Sequence, residues 1–396
     1  MEMSSFDRLM VLNIRSIKEL IAMIPSTVGV GRGLRQLLAN PIAHAARFPG
    51  ADRYRKHFRA SSHLWMLVLY GMLNAGSLRQ FYALIAVNPV LCRTIGLTKS
   101  ISFSQVARSS TSRPVACVEA LFADLLAEAR RRPARRGSLG HRLRRILILD
   151  STFLPLCAAL SPWSRVGGFT PGVRVQVGYN LDRAIPQYLV MDPVSINDQA
   201  AIERFDLTPY RGWTLLFDMG YYAHRAFARM QDAGVSFVTR RRVQASYVVT
   251  ATREVTVKRT PEGDRLIADQ TITLGSPNNR RGAVVPNLRL VTSETAQGKR
   301  MEFVTNRFDL TATEIVRLYR QRWQIELFFR FLKHQLAIMT PIGRTPQAIW
   351  LTILIAAIIS VLLVLAATDR PAGMSNVQWL SALFMLLVIT LQPRGG

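Results

Sequence analysis

The sequence predicts an α/β protein in which a helical N-terminal region precedes a sheet-bearing core. Residues 1–129 carry apolar side chains at three- and four-residue spacing, which is typical of amphipathic helices. Residues 146–239 contain short apolar runs that predict buried strands, and residues 240–310 alternate apolar and polar side chains between polar turns. Helical periodicity returns in residues 311–370 and in an apolar C-terminal segment, residues 371–396. The β-rich block therefore interrupts an α/β core.

Composition indicates a globular chain with a strongly basic character. The 396 residues include 51 Lys and Arg against 25 Asp and Glu, a formal net charge of +26, and 49% are hydrophobic. The apolar content argues against intrinsic disorder. The charge makes a polyanion the expected partner, and both nucleic acid and an anionic membrane surface satisfy it.

Cysteine usage and the N-terminus point to a reducing compartment. Cys92, Cys117 and Cys157 are scattered singly, which argues against a disulfide framework or a zinc site. The N-terminal residues MEMSSFDRLM show no basic flank leading into an apolar run, so we expect no secretory signal. We therefore expect a cytoplasmic protein.

The N-terminal region holds two candidate DNA contacts. Residues 103–126 predict two helices joined by a polar turn, with Pro114 near the start of the second helix. Such a pair either presents a helix to a DNA groove or is simply a packing unit. The arginine-rich linker of residues 130–145, with proline and glycine, predicts a domain boundary that is either solvated or lies along phosphates.

Two aspartates follow buried apolar strands in the predicted core. The run Ile146–Leu149 stops at Asp150, and the run Trp213–Phe217 stops at Asp218. Carboxylates at strand ends lie where binding crevices open in α/β sheets. Asp182, Asp192 and Asp198 lack this buried-strand context, and we set them aside.

The segment LYRQRWQIELFFRFLK predicts one amphipathic helix with a polar stripe, preceded by a capping box at Thr311 and Glu314. At 100° per residue, Arg322, Glu326 and Lys333 fall about 60°, 20° and 40° to one side of Tyr319. By spacing alone, the stripe is either a solvated face or a phosphate-binding surface with one carboxylate.

An apolar C-terminal stretch admits two interpretations. Residues 345–368 carry no charge and are long enough to span a bilayer, and a second apolar run covers residues 379–392. In isolation, the two runs resemble a membrane hairpin. Their position shortly after Lys333 favours a core helix that packs beneath the sheet, because helices buried on all sides are apolar on all sides.

The spacing Y-x2-R-x3-E-x6-K is complete at Tyr319, Arg322, Glu326 and Lys333. It resembles the signature of bacterial insertion-sequence transposases of the DDE class, in the family named for these four residues (insertion-sequence family four). The N-terminal residues RYRKHF and SHLWMLVLYGML also look similar to that family. The resemblance implies a ribonuclease-H-like core interrupted by a β-rich insertion and preceded by a helical DNA-binding domain.

The resemblance also implies a site. Asp150, Asp218 and Glu326 would be the catalytic carboxylates and the metal ligands, because converging carboxylates repel unless hard divalent cations join them. We expect two Mg²⁺ ions, with Mn²⁺ as a substitute. In the family, the groups matching Tyr319, Arg322 and Lys333 hold transposon-end phosphates. Arg240, Arg241 and Arg242, where the β-rich block starts, either line DNA or are solvated.

The resemblance implies a DNA transposase that binds the inverted ends of its element, hydrolyses them and joins the 3′ ends to target DNA. A homodimer in a synaptic complex is expected because two ends must be held together. The β-rich block has no tryptophan to hold a flipped base, so a DNA-hairpin route is left open. One alternative is a ribonuclease-H-like metal nuclease or a host-adopted DNA-binding protein. A more remote alternative is a membrane protein with a C-terminal hairpin.

Overall fold

The computed structural model describes residues 39–73, 76–87, 92, 95–97, 101–132, 143–255, 259–275, 283–336 and 338–366. The chain divides into two compact units. The helical unit comprises residues 1–129 and 331–396, and the sheet unit comprises residues 130–330. The predicted C-terminal segment, residues 371–396, and most of the basic linker lie outside the described residues.

The helices are α1 (Ala60–Leu73), α2 (Leu78–Ala86), α3 (Phe103–Ser112), α4 (Ala116–Arg131), α5 (Asp198–Arg204), α6 (His224–Asp232), α7 (Ala312–Arg320), α8 (Trp323–Gln335) and α9 (Pro346–Ala366). The strands are β1 (Ile146–Pro155), β2 (Gly172–Asn180), β3 (Ile185–Pro193), β4 (Thr214–Leu216), β5 (Ser236–Arg240), β6 (Tyr247–Arg253), β7 (Arg265–Leu274), β8 (Val285–Glu294) and β9 (Arg300–Thr305).

The predicted helix pair in the N-terminal region is present as α3 and α4. Helix α3 starts with a capping box in which the Ser102 hydroxyl accepts from the Gln105 N–H and the Gln105 side chain accepts from the Ser102 N–H. This arrangement satisfies backbone donors that a helix start leaves free. The polar turn between the helices ends near Pro114, as the sequence indicates. A base-reading role for this pair stays a prediction.

Helix α9 is the apolar stretch, and it packs on α1 and α3 of the helical unit. A Cβ on Gly71 of α1 would lie 2.6 Å from Ile359 Cδ1, so the glycine permits close contact between the two helices. Within the described residues, α9 is the one helix long and apolar enough to cross a membrane, and 89% of its most apolar window is buried. The position of this segment in the sequence predicted a helix that packs beneath the sheet. In the structure the helix belongs to the helical unit and packs against α1 and α3. Apolarity predicts burial without specifying the partner.

The described strands form one nine-stranded sheet in the order β3-β2-β1-β4-β5-β9-β8-β7-β6. Strands β1, β2 and β3 are antiparallel neighbours, whereas β4 and β5 run parallel to β1. Strand β9 pairs antiparallel with β5. The β-rich block therefore extends the core sheet from its β5 edge, with β9, the last strand of the block, adjoining β5.

Strand alternation separates two faces of the sheet. Leu147 and Leu149 of β1 belong to the apolar core that includes residues of α5 and α6. Ile148 points to the opposite face, and its antiparallel neighbour Tyr179 lies 5.0 Å, ring to ring, from Phe328 of α8. Because side chains alternate along a strand, Asp150 shares the α8 face with Ile148.

A buried ion pair connects the β-rich strands to the start of α7. The Arg289 guanidinium of β8 donates to both carboxylate oxygens of Asp269 on β7, at 2.8 and 2.6 Å. It also donates to the carbonyls of Arg307 and Leu310, just before the α7 cap. Arg289 is 2% exposed and Asp269 is 5% exposed, so each charge depends on the other for compensation.

We expect Arg289→Met to lower the free energy of unfolding of the sheet unit by about 3–5 kcal/mol, because Asp269 would remain buried and unpaired. Urea unfolding followed by circular dichroism measures the change. The double variant Arg289→Met/Asp269→Leu is the control and should recover most of the loss. A loss of the same size in both variants would contradict this account.

Candidate functional site

Asp150 and Asp218 are aligned by the parallel register of β1 and β4. Ile146 pairs with Thr214 and Ile148 with Leu216, so the same register continued by two residues sets Asp150 beside Asp218. Asp150 accepts from the Ser151 N–H at 2.8 Å, and Asp218 accepts from the Gly220 N–H at 2.7 Å. The sequence predicted that both aspartates close strands. Asp218 does, but β1 continues to Pro155 because β2 pairs with it along its whole length.

The predicted single polar helix is wrong. Helix α7 ends at Arg320 and α8 begins at Trp323, and a tight turn joins them. Within this turn the Arg322 N–H donates to the Tyr319 carbonyl at 3.0 Å, and the Ile325 N–H donates to the Arg322 carbonyl at 3.2 Å. Tyr319 therefore lies at the end of α7, Arg322 lies in the turn, and Glu326 lies in the first turn of α8.

Arg322 connects two of the predicted carboxylates. Its Nη1 lies 3.4 Å from Asp150 Oδ2, and its Nη2 donates to Glu326 Oε1. Its Nε is buried without a hydrogen-bond partner. Burial acts to lower the pKa of Arg322, but the Glu326 hydrogen bond and the surrounding negative charges outweigh it and raise the pKa. The guanidinium thus compensates negative charge on both carboxylates.

Asp150 has an unusual proton affinity. The pKa of this carboxyl is raised to about 7, mainly by burial and also by the charges of Asp218 and Asp198. The Ser151 N–H and the Arg322 charge act in the opposite direction. Burial and the neighbouring carboxylates together therefore disfavour the ionised form of Asp150 more than Arg322 and the Ser151 N–H favour it.

Asp198 is the site residue that sequence reasoning set aside. It accepts from the Ser151 hydroxyl at 2.6 Å and lies 3.4 Å from Arg174 Nη1. A Cβ added to Gly220 would lie 2.9 Å from both Asp198 Oδ2 and Asp218 Oδ1. In sequence, Asp198 follows the N-cap Asn197 and looks like an ordinary helix-start acid, so no local signal marks its proximity to Asp218.

Tyr319 and Arg240 lie close to this group. Burial raises the pKa of Tyr319, while the charges of Arg322 and Arg240 lower it and that of Asp218 raises it. The Tyr319 ring is 5.0 Å from that of Phe303, the residue paired with Arg240 across β5 and β9. Asp218, Arg322 and Glu326 are therefore grouped with Asp150, Tyr319 lies near Arg322 and Asp218, and Arg240 lies near Tyr319.

Arg241, Arg242 and Lys333 are the other predicted DNA-binding residues, and each has a different environment. Arg241 forms an ion pair with Glu302 and donates to the carbonyls of Arg242, Val243 and Ala245. Arg242 donates to the Met219 carbonyl at 2.9 Å, in the turn after Asp218. Lys333 lies two turns after Glu326 on α8, within the helical unit, and burial lowers the pKa of its ammonium group.

No group of three or more His, Cys, Asp or Glu side chains in the described part of the chain is close enough to hold a metal ion. Asp150, Asp198 and Asp218 lie near one another. The Arg322 guanidinium contacts both Asp150 and Glu326 and so bridges these two carboxylates.

Comparison with known proteins identifies the family. The family described as "Transposase DDE domain" matches residues 141–362, more than half of the chain, and includes Asp150, Asp218 and Glu326. The chain belongs to this family of DDE-domain transposases.

Curated relatives agree with this assignment. The chain is 32% identical over 264 residues to transposase y4zB of Sinorhizobium fredii, covering 66% of this chain and 70% of the relative. It is 24% identical over 275 residues to a transposase for insertion sequence element IS5377 of Geobacillus stearothermophilus, with 69% and 70% covered. A Synechocystis transposase for IS4SA is 25% identical over 283 residues, with 69% and 75% covered.

Among solved structures, a piggyBac transposase synaptic complex with hairpin DNA matches with a TM-score of 0.44 at 10% identity, covering 93% of this chain and 81% of that one. The family and the relatives establish the protein as a DNA transposase, an enzyme that cleaves DNA and transfers strands. DDE transposase domains generally use divalent metal ions.

We expect Asp150→Asn to stabilise the metal-free protein increasingly as pH rises. An unfolded aspartate has a pKa of about 3.9, so a folded value near 7 means that ionisation costs the folded state free energy between these pH values. The stabilisation by Asn should be larger at pH 8 than at pH 5 by about 2.5 kcal/mol.

Urea unfolding in EDTA at both pH values measures this difference. Asp232→Asn, at an exposed position at the end of α6, is the matched control and should show little pH dependence. Equal pH dependence in the two variants would contradict the raised pKa of Asp150.

Proposed function

We propose that Asp150, Asp218 and Glu326 are the catalytic carboxylates with which this transposase hydrolyses the phosphodiesters at its element's ends. The observation that carries the proposal is Arg322, whose guanidinium contacts both Asp150 and Glu326. The β1 and β4 register that sets Asp218 beside Asp150 also supports it. The carboxylates come from two parallel strands and a helix on the same face of the sheet.

We propose a ribonuclease-H-like core for residues 146–239 and for the part of 311–370 that precedes α9, interrupted by a β-rich insertion at 240–310. Three antiparallel strands followed by two strands parallel to the first support this assignment. The order of the carboxylates, on β1, after β4 and on α8, supports it as well. The helical region 1–129 and the linker 130–145 would then bind DNA ahead of this core.

The carboxylates are chemically suited to divalent cations. Asp150, Asp218 and Glu326 offer the oxygen ligands that Mg²⁺ and Mn²⁺ prefer. Burial raises the pKa of Asp150, and added positive charge would stabilise its ionised form. Two Mg²⁺ ions, with Mn²⁺ as a substitute, would activate the attacking oxygen and stabilise the leaving 3′ oxygen when bound. Arg322 must release Glu326, Asp150 or both for these carboxylates to take up that role.

The cationic residues near the carboxylates would bind phosphates. Arg322 offers a planar set of donors that fits a phosphate, and these donors would become free when it releases Asp150 or Glu326. The Tyr319 hydroxyl lies near Asp218 and the Arg240 guanidinium lies near Tyr319, and Lys333 would add a point charge further along α8. Arg242 would act on Asp218 indirectly. It donates to the Met219 carbonyl, in the turn whose Gly220 N–H donates to the Asp218 carboxylate.

Arg241 is the least available of the three consecutive arginines for DNA. Its guanidinium is occupied by Glu302 and by backbone carbonyls, so we propose that it stabilises the junction between core and insertion. The DNA substrates would be the inverted ends and the target, held by a homodimer in a synaptic complex. We propose that this assembly acts in the cytoplasm, at the nucleoid.

We expect Glu326→Gln to abolish divalent-dependent cleavage of a DNA duplex carrying the element's inverted end, while binding to the same duplex persists. Gln has Glu's shape but lacks the charge that a cation and Arg322 require. Cleavage is measured on a radiolabelled duplex with Mg²⁺ or Mn²⁺, and binding by fluorescence anisotropy.

Glu203→Gln is the matched control, because Glu203 is exposed on α5 and should leave both readouts unchanged. Undiminished cleavage by the Glu326→Gln variant would overturn the assignment of this carboxylate.

A further inference from the structure

A loop in the helical unit is hydrogen-bonded at both ends and presents an exposed basic surface. The basic loop is defined here as residues 52–59, which precede α1. Arg53, Lys56, His57 and Arg59 are exposed in it, and Asp52 is its one acidic residue. The catalytic site does not account for this surface.

Arg113 fastens both ends of the basic loop. This arginine is 5% exposed, and it donates to the Ala51 carbonyl at 3.2 Å and to the Phe58 carbonyl. Its guanidinium also lies 5.0 Å from the centre of the Phe58 ring. Asp52 is occupied within the fold, because it accepts from the Ala60 N–H and lies 3.7 Å from Arg113 Nη2. The loop's one carboxylate therefore serves its own architecture.

The middle of the basic loop rests on α3. Arg55 donates to the Ser109 hydroxyl at 2.9 Å and to the Ser112 hydroxyl at 2.5 Å. This contact joins the loop to the helix pair that the sequence offered as a DNA-binding element. The exposed residues of α3, which include Gln105 and Arg108, are polar or charged and continue the surface.

Tyr54 is the residue that the fold does not explain. It is 90% exposed and has a φ of 60°, in the left-handed region that non-glycine residues rarely occupy. The Arg53 guanidinium lies 5.1 Å from the centre of its ring and donates to its hydroxyl at 3.3 Å. Exposing an aromatic ring and straining its backbone both cost free energy, and such costs concentrate at functional sites.

We propose that the basic loop is a docking surface for duplex DNA. Arg53 and Lys56 neutralise phosphates, and the Tyr54 ring packs against the sugar wall of a groove. The charge decides between DNA and a second copy of this chain, because a chain of formal net charge +26 repels its own basic surfaces. The proposal rests on the transposase function and names one surface through which the enzyme holds its DNA.

Two variants separate the contributions of charge and ring. Arg53→Ala/Lys56→Ala removes the phosphate contacts. Tyr54→Asn removes the ring and keeps the backbone, because asparagine tolerates the left-handed conformation. Arg225→Ala/Lys299→Ala, at exposed sites of the sheet unit, is the control with equal charge loss. All are made in full-length Glu326→Gln protein, so binding is measured without cleavage.

Fluorescence anisotropy is recorded on two 40-base-pair duplexes, one ending in the element's inverted repeat and one of scrambled sequence, over a range of salt concentrations. The Arg53→Ala/Lys56→Ala variant should bind both duplexes about tenfold or more weakly, and its slope of log affinity against log salt should flatten by about two. Tyr54→Asn should bind both duplexes about tenfold more weakly, with little change in slope, because a sugar contact does not depend on sequence. The control variant should lose less than either.

Wild-type affinity and salt slope in both loop variants would overturn the proposal. An altered sedimentation coefficient of the DNA-free protein, with DNA affinity unchanged, would also overturn it and assign the loop to contacts between chains. A failure of the proposed cleavage chemistry leaves this binding assay unaffected, so the two proposals fail separately.

Discussion

The candidate site depends on how positive charge and protons compensate the carboxylates at the end of the sheet. Parallel pairing of β1 with β4 sets Asp150 beside Asp218, and α5 brings Asp198 to the same turn. Neighbouring carboxylates repel strongly when water is excluded. Two features compensate this repulsion. Arg322 contacts Asp150 and Glu326, and Asp150 takes up a proton near neutral pH. Under the proposed function, a bound cation would take over this compensation from Arg322 and from the proton.

The turn between α7 and α8 makes that balance possible. In one continuous helix, Arg322 would be part of a straight stripe. The turn instead sets Arg322 between two helix ends, where it reaches back to β1 and forward to Glu326. Arg289 supports the approach to this turn, because it binds the carbonyls of Arg307 and Leu310 just before α7 begins. The β-rich strands thus help to position the helix that delivers Tyr319.

Much of the fold could be predicted because its signals are local. The buried run Ile146–Leu149, the capping box at Thr311 and the apolar length of α9 each depend on neighbouring residues alone. The partner of α9 could not be predicted, because an apolar helix is suited to any apolar surface. Asp198 was missed for a related reason, since its helix-start position already gave its charge an ordinary explanation.

The sequence by itself predicted Asp150, Asp218 and Glu326 as candidate catalytic residues and DNA as the substrate, because residue spacing, charge and family likeness are properties of the chain. The tertiary structure decided how those residues meet. Arg322 and Asp150 are 172 residues apart, and their contact exists only after strand register, helix break and packing are all set. Long-range pairing is selected by burial and charge across the whole sheet, and no local pattern specifies it.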